Sequence, residues 1–147
     1  MIETEGVVVV DASALVELVI EGEHRAGADA LLDRYRTVDR LVLVSAAHGL
    51  IEATSAIRRL AQRGSLPPEQ GWQSISWLGQ IDLVLDATAP RLRRVWALRE
   101  QMSAYDAAYA AAAEALDSPL ISTDGRLLSA CGSAGIQAAH LSTFAAS

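Results

Sequence analysis

Four acids in this chain of 147 residues stand at the ends of apolar runs or inside apolar helical stretches. They are Asp11 after "VVVV", Glu52 in "HGLIEAT", Asp106 in "SAYDAAY" and Asp124 just after "PLIS". Each has an ordinary explanation taken singly. Asp11 is placed to cap a helix starting at Ser13, because an Asp oxygen accepts from the free amides of a first turn. Asp106 closes Ser103-x-x-Asp106, a capping-box pattern, and Asp124-Gly125 is a turn dipeptide. Their joint chemistry is different. Two carboxylates roughly 5 Å apart repel by about 3 kcal/mol at an effective dielectric of 20. A third and fourth make the group unfavourable unless a proton or a cation joins it. The cation suited to oxygen donors is Mg²⁺ or Mn²⁺, since Zn²⁺ would want His or Cys partners that are missing at ligand spacing.

The elements that would position these acids follow from the periodicity. Strands are predicted over 7–10, 41–45, 81–86, 119–122 and, weakly, 136–141. Helices are predicted over 13–20, 24–36, 46–63, 67–78, 88–101, from 103 to near 117, and in a short piece after Asp124. Ser45 is placed to cap the helix from Ala46, and Gly64 to stop it. Strands and helices alternate with no proline- or glycine-rich linker. That order predicts one α/β domain over residues 1–147, a three-layer α/β/α sandwich around a mostly parallel sheet. In such a sheet the strand C-termini converge on a ligand site, and Asp11 and Asp124 lie side by side if their strands are neighbours. Glu52 is harder to place. The apolar stripe of its helix is Leu50, Ala53, Thr54, Ile57, Leu60 and Ala61, with Glu52, His48 and Arg59 nearly opposite. The period alone makes Glu52 solvated, and it reaches a site only if a second side of that helix is covered.

Composition narrows the function. The formal net charge is -6 and hydrophobic residues make up 51% of the chain. A broad basic surface for nucleic acid is thereby excluded, so any such contact must be local. All 12 basic residues are Arg, which removes mechanisms needing a lysine. The one cysteine, Cys131, has no partner for a disulfide and is expected to be a small buried residue of a protein in a reducing compartment. An acidic opening, "MIETEG", and the lack of a long apolar run predict a cytoplasmic protein with no membrane association. The dense basic stretch "RLRRVWALR", with Arg91, Arg93, Arg94 and Arg99, is either a grip for a polyanion or a solvated helix face with Trp96 turned into the core.

At this point the motifs resemble the PIN domain and, within it, the VapC-type toxin ribonucleases. The resemblance covers nearly the whole chain. "VVVVDASALVELV" is similar to the opening strand, with Asp11 and the hydroxyl of Ser13 two residues on. "LIEATSAIRRLAQRG" is similar to the Glu-bearing helix followed by paired arginines, Arg58 and Arg59. "SAYDAAYAAAAEALDSPLISTDGRL" is the most specific piece. The family's four acidic positions fall on Asp11, Glu52, Asp106 and Asp124, and Ser122 matches the hydroxyl two residues before the last acid. Asp117 departs from the pattern, standing where members often carry glycine, and is read as a surface residue at a helix end.

The resemblance implies a metal-dependent endoribonuclease, the toxin of a toxin-antitoxin pair. Asp11, Asp106 and Asp124 would bind Mg²⁺ or Mn²⁺, Glu52 would be a ligand or align the attacking water, and Ser13 and Ser122 would orient carboxylates or bound water. A bound ion would activate that water for in-line attack on an RNA phosphodiester. The partners implied are RNA, a cognate antitoxin protein and a second copy in a homodimer. The helices over 24–36 and 67–78, with Tyr35, Trp72 and Trp77, are candidate surfaces, against the plainer expectation that the tryptophans fill the core. Two rivals stand beside this reading. One is a catalytically silent PIN-like module that binds metal or protein. The other, a haloacid-dehalogenase-type phosphatase, would want an Asp where Ser13 stands.

Overall fold

The computed structural model describes residues 6–37 and 41–146, so the acidic first five residues lie outside it. The first strand, β1 (Val7–Val10), runs straight into α1 (Ala12–Val19) and α2 (Arg25–Arg36). There follow β2 (Val42–Ala46), α3 (Gly49–Gln62), α4 (Pro68–Leu78) and β3 (Leu83–Asp86). A 3-10 turn, Ala89–Arg91, leads to the short α5 (Leu92–Ala97), then α6 (Ala104–Ala115), β4 (Leu120–Ser122), α7 (Gly125–Ser133) and β5 (Ala138–His140). The described strands form one sheet in the order β3-β2-β1-β4-β5, and every pairing is parallel. This is the expected α/β/α sandwich.

The β-branched run explains the centre of that order. Val8, Val9 and Val10 are all fully buried although their side chains alternate between faces, so β1 is covered on both sides, as an interior parallel strand must be. Helix α1 packs over β1 and β4, and α6 packs over β1, β2 and β4. The edge strand β3 is half open, with Val84 and Leu85 exposed. From β1 the chain winds outward to β2 and β3, and β4 and β5 then build outward from the other side of β1. The seam between β1 and β4 is therefore the topological switch point, where connections diverge and leave a crevice at the strand C-termini.

Several expectations change in detail. Ser45 does not cap α3. It is the fourth residue of a strand shifted by one, and its buried hydroxyl donates to the Val10 carbonyl at 2.7 Å. Helix α3 starts only at Gly49, where a Cβ would collide with the Ser45 hydroxyl; glycine lets the first turn of α3 close on β2. The single helix expected over 88–101 is broken into a 3-10 turn and a six-residue helix, with Pro90 in the opening turn and Leu98 ending the second piece. The tryptophans are not core filling: Trp72 is 71% and Trp96 69% exposed. The core is aliphatic and alanine-rich around Leu15, Leu31, Leu43, Ile57 and Tyr109, and Cys131 is buried in it as expected.

Candidate active site

Asp11 leaves the end of β1 at the switch point and is 4% exposed. It caps α1, its Oδ1 accepting from the Ala14 amide at 3.0 Å, so the ordinary explanation holds as well. Two hydroxyls complete its shell. Ser13 donates to Oδ1 at 2.7 Å, and Ser122, from the neighbouring β4, donates to Oδ2 at 2.6 Å. Each hydroxyl also accepts a backbone amide of the β4–α7 turn, Ser13 from Thr123 and Ser122 from Asp124, both at 2.9 Å. A hydroxyl has one proton. With both protons on Asp11, the 3.1 Å approach of the two serine oxygens is a contact and not a further bond. Burial pushes the Asp11 pKa up; the three hydrogen bonds pull it back only in part, and Asp106 adds to the rise.

The other acids arrive from separate elements. Asp124 follows β4 by two residues and caps α7, its Oδ1 accepting from the Arg126 amide at 3.0 Å. Asp106 sits in the first turn of α6, where the Ser103 hydroxyl accepts its amide at 3.2 Å. Burial raises the Asp106 pKa most, followed by repulsion from Asp124 and from Glu52, while Arg126 opposes the rise. Glu52 belongs to the same neighbourhood. The fully buried Tyr109 donates its hydroxyl to Glu52 Oε1 at 2.9 Å, and burial with the adjacent Glu52 carboxylate drives the Tyr109 pKa upward. The second side of α3 is thus reached by a hydrogen bond from α6 across the site. Cys131, under the cluster, has its thiol pKa raised to about 11, by burial first and then by Asp106 and Asp11.

Asp11, Glu52, Asp106 and Asp124 all line one open pocket of about 550 Å³. Ser13 lines it too, and Ser122 sits behind Asp11, fully buried. The face of α3 that looked solvated forms a wall, with His48, Glu52, Ser55 and Arg59 at helical spacing. His48 packs edge-on against Tyr105 and Tyr109, at ring-centroid distances of 5.5 and 4.9 Å, and its Nε2 is buried without a hydrogen-bond partner among the described residues. Tyr109 as the anchor of Glu52, and Arg126 beside Asp106, were not foreseen. For Tyr109 the signal was its place three residues after Asp106, on the same side of α6.

As donors for a cation the four groups fit chemically: all are carboxylates, and Asp11 and Asp106 are pushed toward protonation partly by neighbouring negative charge, which a cation relieves. Among the described residues, though, no three His, Cys, Asp or Glu side chains stand ready-made around one point. Asp11 turns both oxygens to internal donors and Asp124 turns Oδ1 to its own helix. The basic stretch is largely spoken for. Arg91 pairs twice with Asp86 and Arg94 twice with Glu114, and Arg99 stacks 4.6 Å over Trp96.

A parallel sheet of this order with acids gathered at its switch point defines an α/β class with its site at the strand C-termini, and comparison names the family: residues 8–132 match the PIN domain, and the chain belongs to that family. Within the family its likeness is to the VapC ribonucleases. VapC ribonuclease Mb0985 of Mycobacterium bovis is 33% identical over 121 residues, 82% of this chain and 87% of that protein. Among solved structures, PAE2754 of Pyrobaculum aerophilum superposes with a TM-score of 0.69 at 21% identity, over 96% of this chain and 95% of that one. Mycobacterium tuberculosis VapC20, described as a sarcin-ricin loop cleaving toxin, superposes at 0.60 with 18% identity, covering 88% and 95%. Both share the fold. No helix among the described residues is long and apolar enough to cross a membrane.

Proposed function

We propose that this chain is a toxin ribonuclease that hydrolyses RNA phosphodiester bonds at the pocket of Asp11, Glu52, Asp106 and Asp124. The observation that carries the reading is the meeting of four carboxylates, from four separate elements, in one pocket, where burial and neighbouring negative charge push Asp11 and Asp106 toward protonation. The likeness to VapC ribonucleases supports it. Asp11, Asp106 and Asp124 would hold Mg²⁺ or Mn²⁺. Bound there, such an ion supplies Lewis-acid activation of water and neutralises phosphate charge. The chain's own residues do the rest. Ser13 and Ser122 fix Asp11, and Tyr109 fixes Glu52 by one oxygen, leaving the carboxylate to align the attacking water and accept its proton. Arg59 on the pocket wall offers the local positive charge that an acidic protein needs to hold a phosphate.

The partners proposed are RNA, a cognate antitoxin and a second copy of the chain, in the cytoplasm. A partner-protein surface is supported by the exposed Trp72 and half-exposed Trp77 of α4, and by a pocket of about 440 Å³ between Tyr35, Leu32 and Trp77. The deciding experiment uses the purified chain free of any partner. It should cut RNA with Mg²⁺ or Mn²⁺ and stop with chelator, and activity that survives both Asp11→Asn and Asp124→Asn would mean a contaminating nuclease. A second reading, a silent binding module, draws on Asp11, whose two oxygens are both engaged by internal donors. Under it, RNA remains uncut while calorimetry still detects binding of metal or of a partner protein.

A further inference from the structure

Each of the two helices that carry acids over the pocket also carries an exposed apolar residue immediately before the acid: Ile51 before Glu52 on α3, and Tyr105 before Asp106 on α6. Ile51 is 70% and Tyr105 64% exposed, and both line the same pocket. Neighbouring helical residues point about 100° apart, so a helix that lowers an acid into the pocket leaves the preceding side chain on its rim. One exposed apolar residue means little. Two of them, one on each helix and each next in sequence to an acid, put apolar surface on the lining of the pocket that the acids share. Tyr105 is also braced: its ring meets His48 at 74°, and His48 meets the buried Tyr109 at 61°. A braced, mostly exposed ring is a stacking surface that costs little entropy to use.

We propose that Tyr105 and Ile51 form a base-reading rim, on which the base beside the scissile phosphate stacks against Tyr105 with Ile51 across from it. The proposal rests on the ribonuclease reading and adds the residues that decide where the cut falls. A phosphate held among the acids keeps its own nucleoside at the pocket mouth through the ribose. Stacking on an aromatic ring recognises an unpaired base by its π-face, and the span between Tyr105 and Ile51 then sorts bases by size. Arg59 lines the same wall and faces the backbone charge.

The test is steady-state cleavage, by the purified full chain with Mg²⁺, of short RNAs differing only in the nucleotides flanking the cut. The wild type should favour one base beside the cut. Tyr105→Ala should raise KM about tenfold and flatten that preference, Tyr105→Phe should keep both, and Ile51→Ala should alter the ratio of purine to pyrimidine. Wild-type KM and preference in Tyr105→Ala overturn the rim while leaving the ribonuclease reading standing, and release these residues for contact with a protein. If the wild type cuts none of the RNAs with Mg²⁺ or Mn²⁺, the rim and the ribonuclease reading fall together.

Discussion

Ser122 donates its hydroxyl to Oδ2 of Asp11 at 2.6 Å, joining two strands that lie 111 residues apart in the chain. Both residues are buried, Ser122 fully, so its hydroxyl has no solvent to turn to. Ser122→Ala leaves a buried carboxylate oxygen unpaired, and also orphans the Asp124 amide that bonds the same hydroxyl at 2.9 Å. The expected loss is about 1.5–3 kcal/mol, read as a lower urea midpoint, together with weaker RNA cleavage. An unchanged midpoint would remove Ser122 from the support of Asp11.

Which parts were legible in the sequence follows from how local each signal is. "VVVV" states a doubly buried strand in four letters, and Ser13 and Ser122 stand within two residues of the acids Asp11 and Asp124, so the switch-point crevice could be anticipated. Glu52 could not be placed that way. Its environment depends on Tyr109, 57 residues later, and no helical period encodes which second element covers a helix face. Ser45 looked like a cap because cap preference is a local statistic, whereas its hydroxyl serves the Val10 carbonyl across the sheet. The arginine stretch read as a patch because the sequence does not display the partners, Asp86 and Glu114, that neutralise half of it.

Asp106 makes stability depend on pH in an unusual direction. Burial, Asp124 and Glu52 lift its pKa above the ordinary 3.8. Between that ordinary value and the raised one the folded chain keeps a proton that the unfolded chain has lost, so stability falls as pH rises through this window. Asp106→Asn removes the penalty. Without metal, the variant should melt higher than the wild type at pH 7, and the difference should fade below pH 3.8 while RNA cleavage is lost throughout. A variant that melts lower at pH 7 would show that burial and repulsion together do not penalise the ionised Asp106.

Divalent ions should reverse that ranking. A ligand that binds only the folded state stabilises by mass action, about 2.7 kcal/mol at a hundred times its Kd. For a chain of this size that is roughly 5–10 °C in Tm. Mg²⁺ or Mn²⁺ should therefore raise the wild-type melting point and leave Asp106→Asn nearly flat. Equal shifts in both proteins would place the ion elsewhere.

Arg59 and Arg94 should separate binding charge from structural charge. Arg59 lines the acid pocket and its only described bond is to the Ser55 hydroxyl at 3.2 Å; Arg94 is engaged by both oxygens of Glu114. If Arg59 meets a phosphate, Arg59→Ala lowers RNA affinity and reduces the slope of log K against log salt by about 0.7. Arg94→Ala should leave the slope unchanged and cost under about 1 kcal/mol of stability, as exposed ion pairs do. A drop in slope for Arg94→Ala alone would return the RNA contact to the "RLRRVWALR" helix.

Asp117 is the one described non-glycine residue with positive φ, at 49°. It follows the last turn of α6, where the Ser118 amide donates back to the Ala113 carbonyl at 3.0 Å and the Asp117 amide to Glu114 at 3.1 Å, the wrapping that ends a helix through a left-handed residue. Glycine would fit here better, because without a Cβ the left-handed turn is free of strain. Asp117→Gly should accordingly stabilise the chain by about 1 kcal/mol, less whatever backbone entropy the glycine adds to the unfolded state. Because Asp117 is exposed and lies outside the acid pocket, cleavage should be unaffected. A destabilised Asp117→Gly would mean that the unfolded-state entropy outweighs the strain, and that Asp holds this turn at little cost.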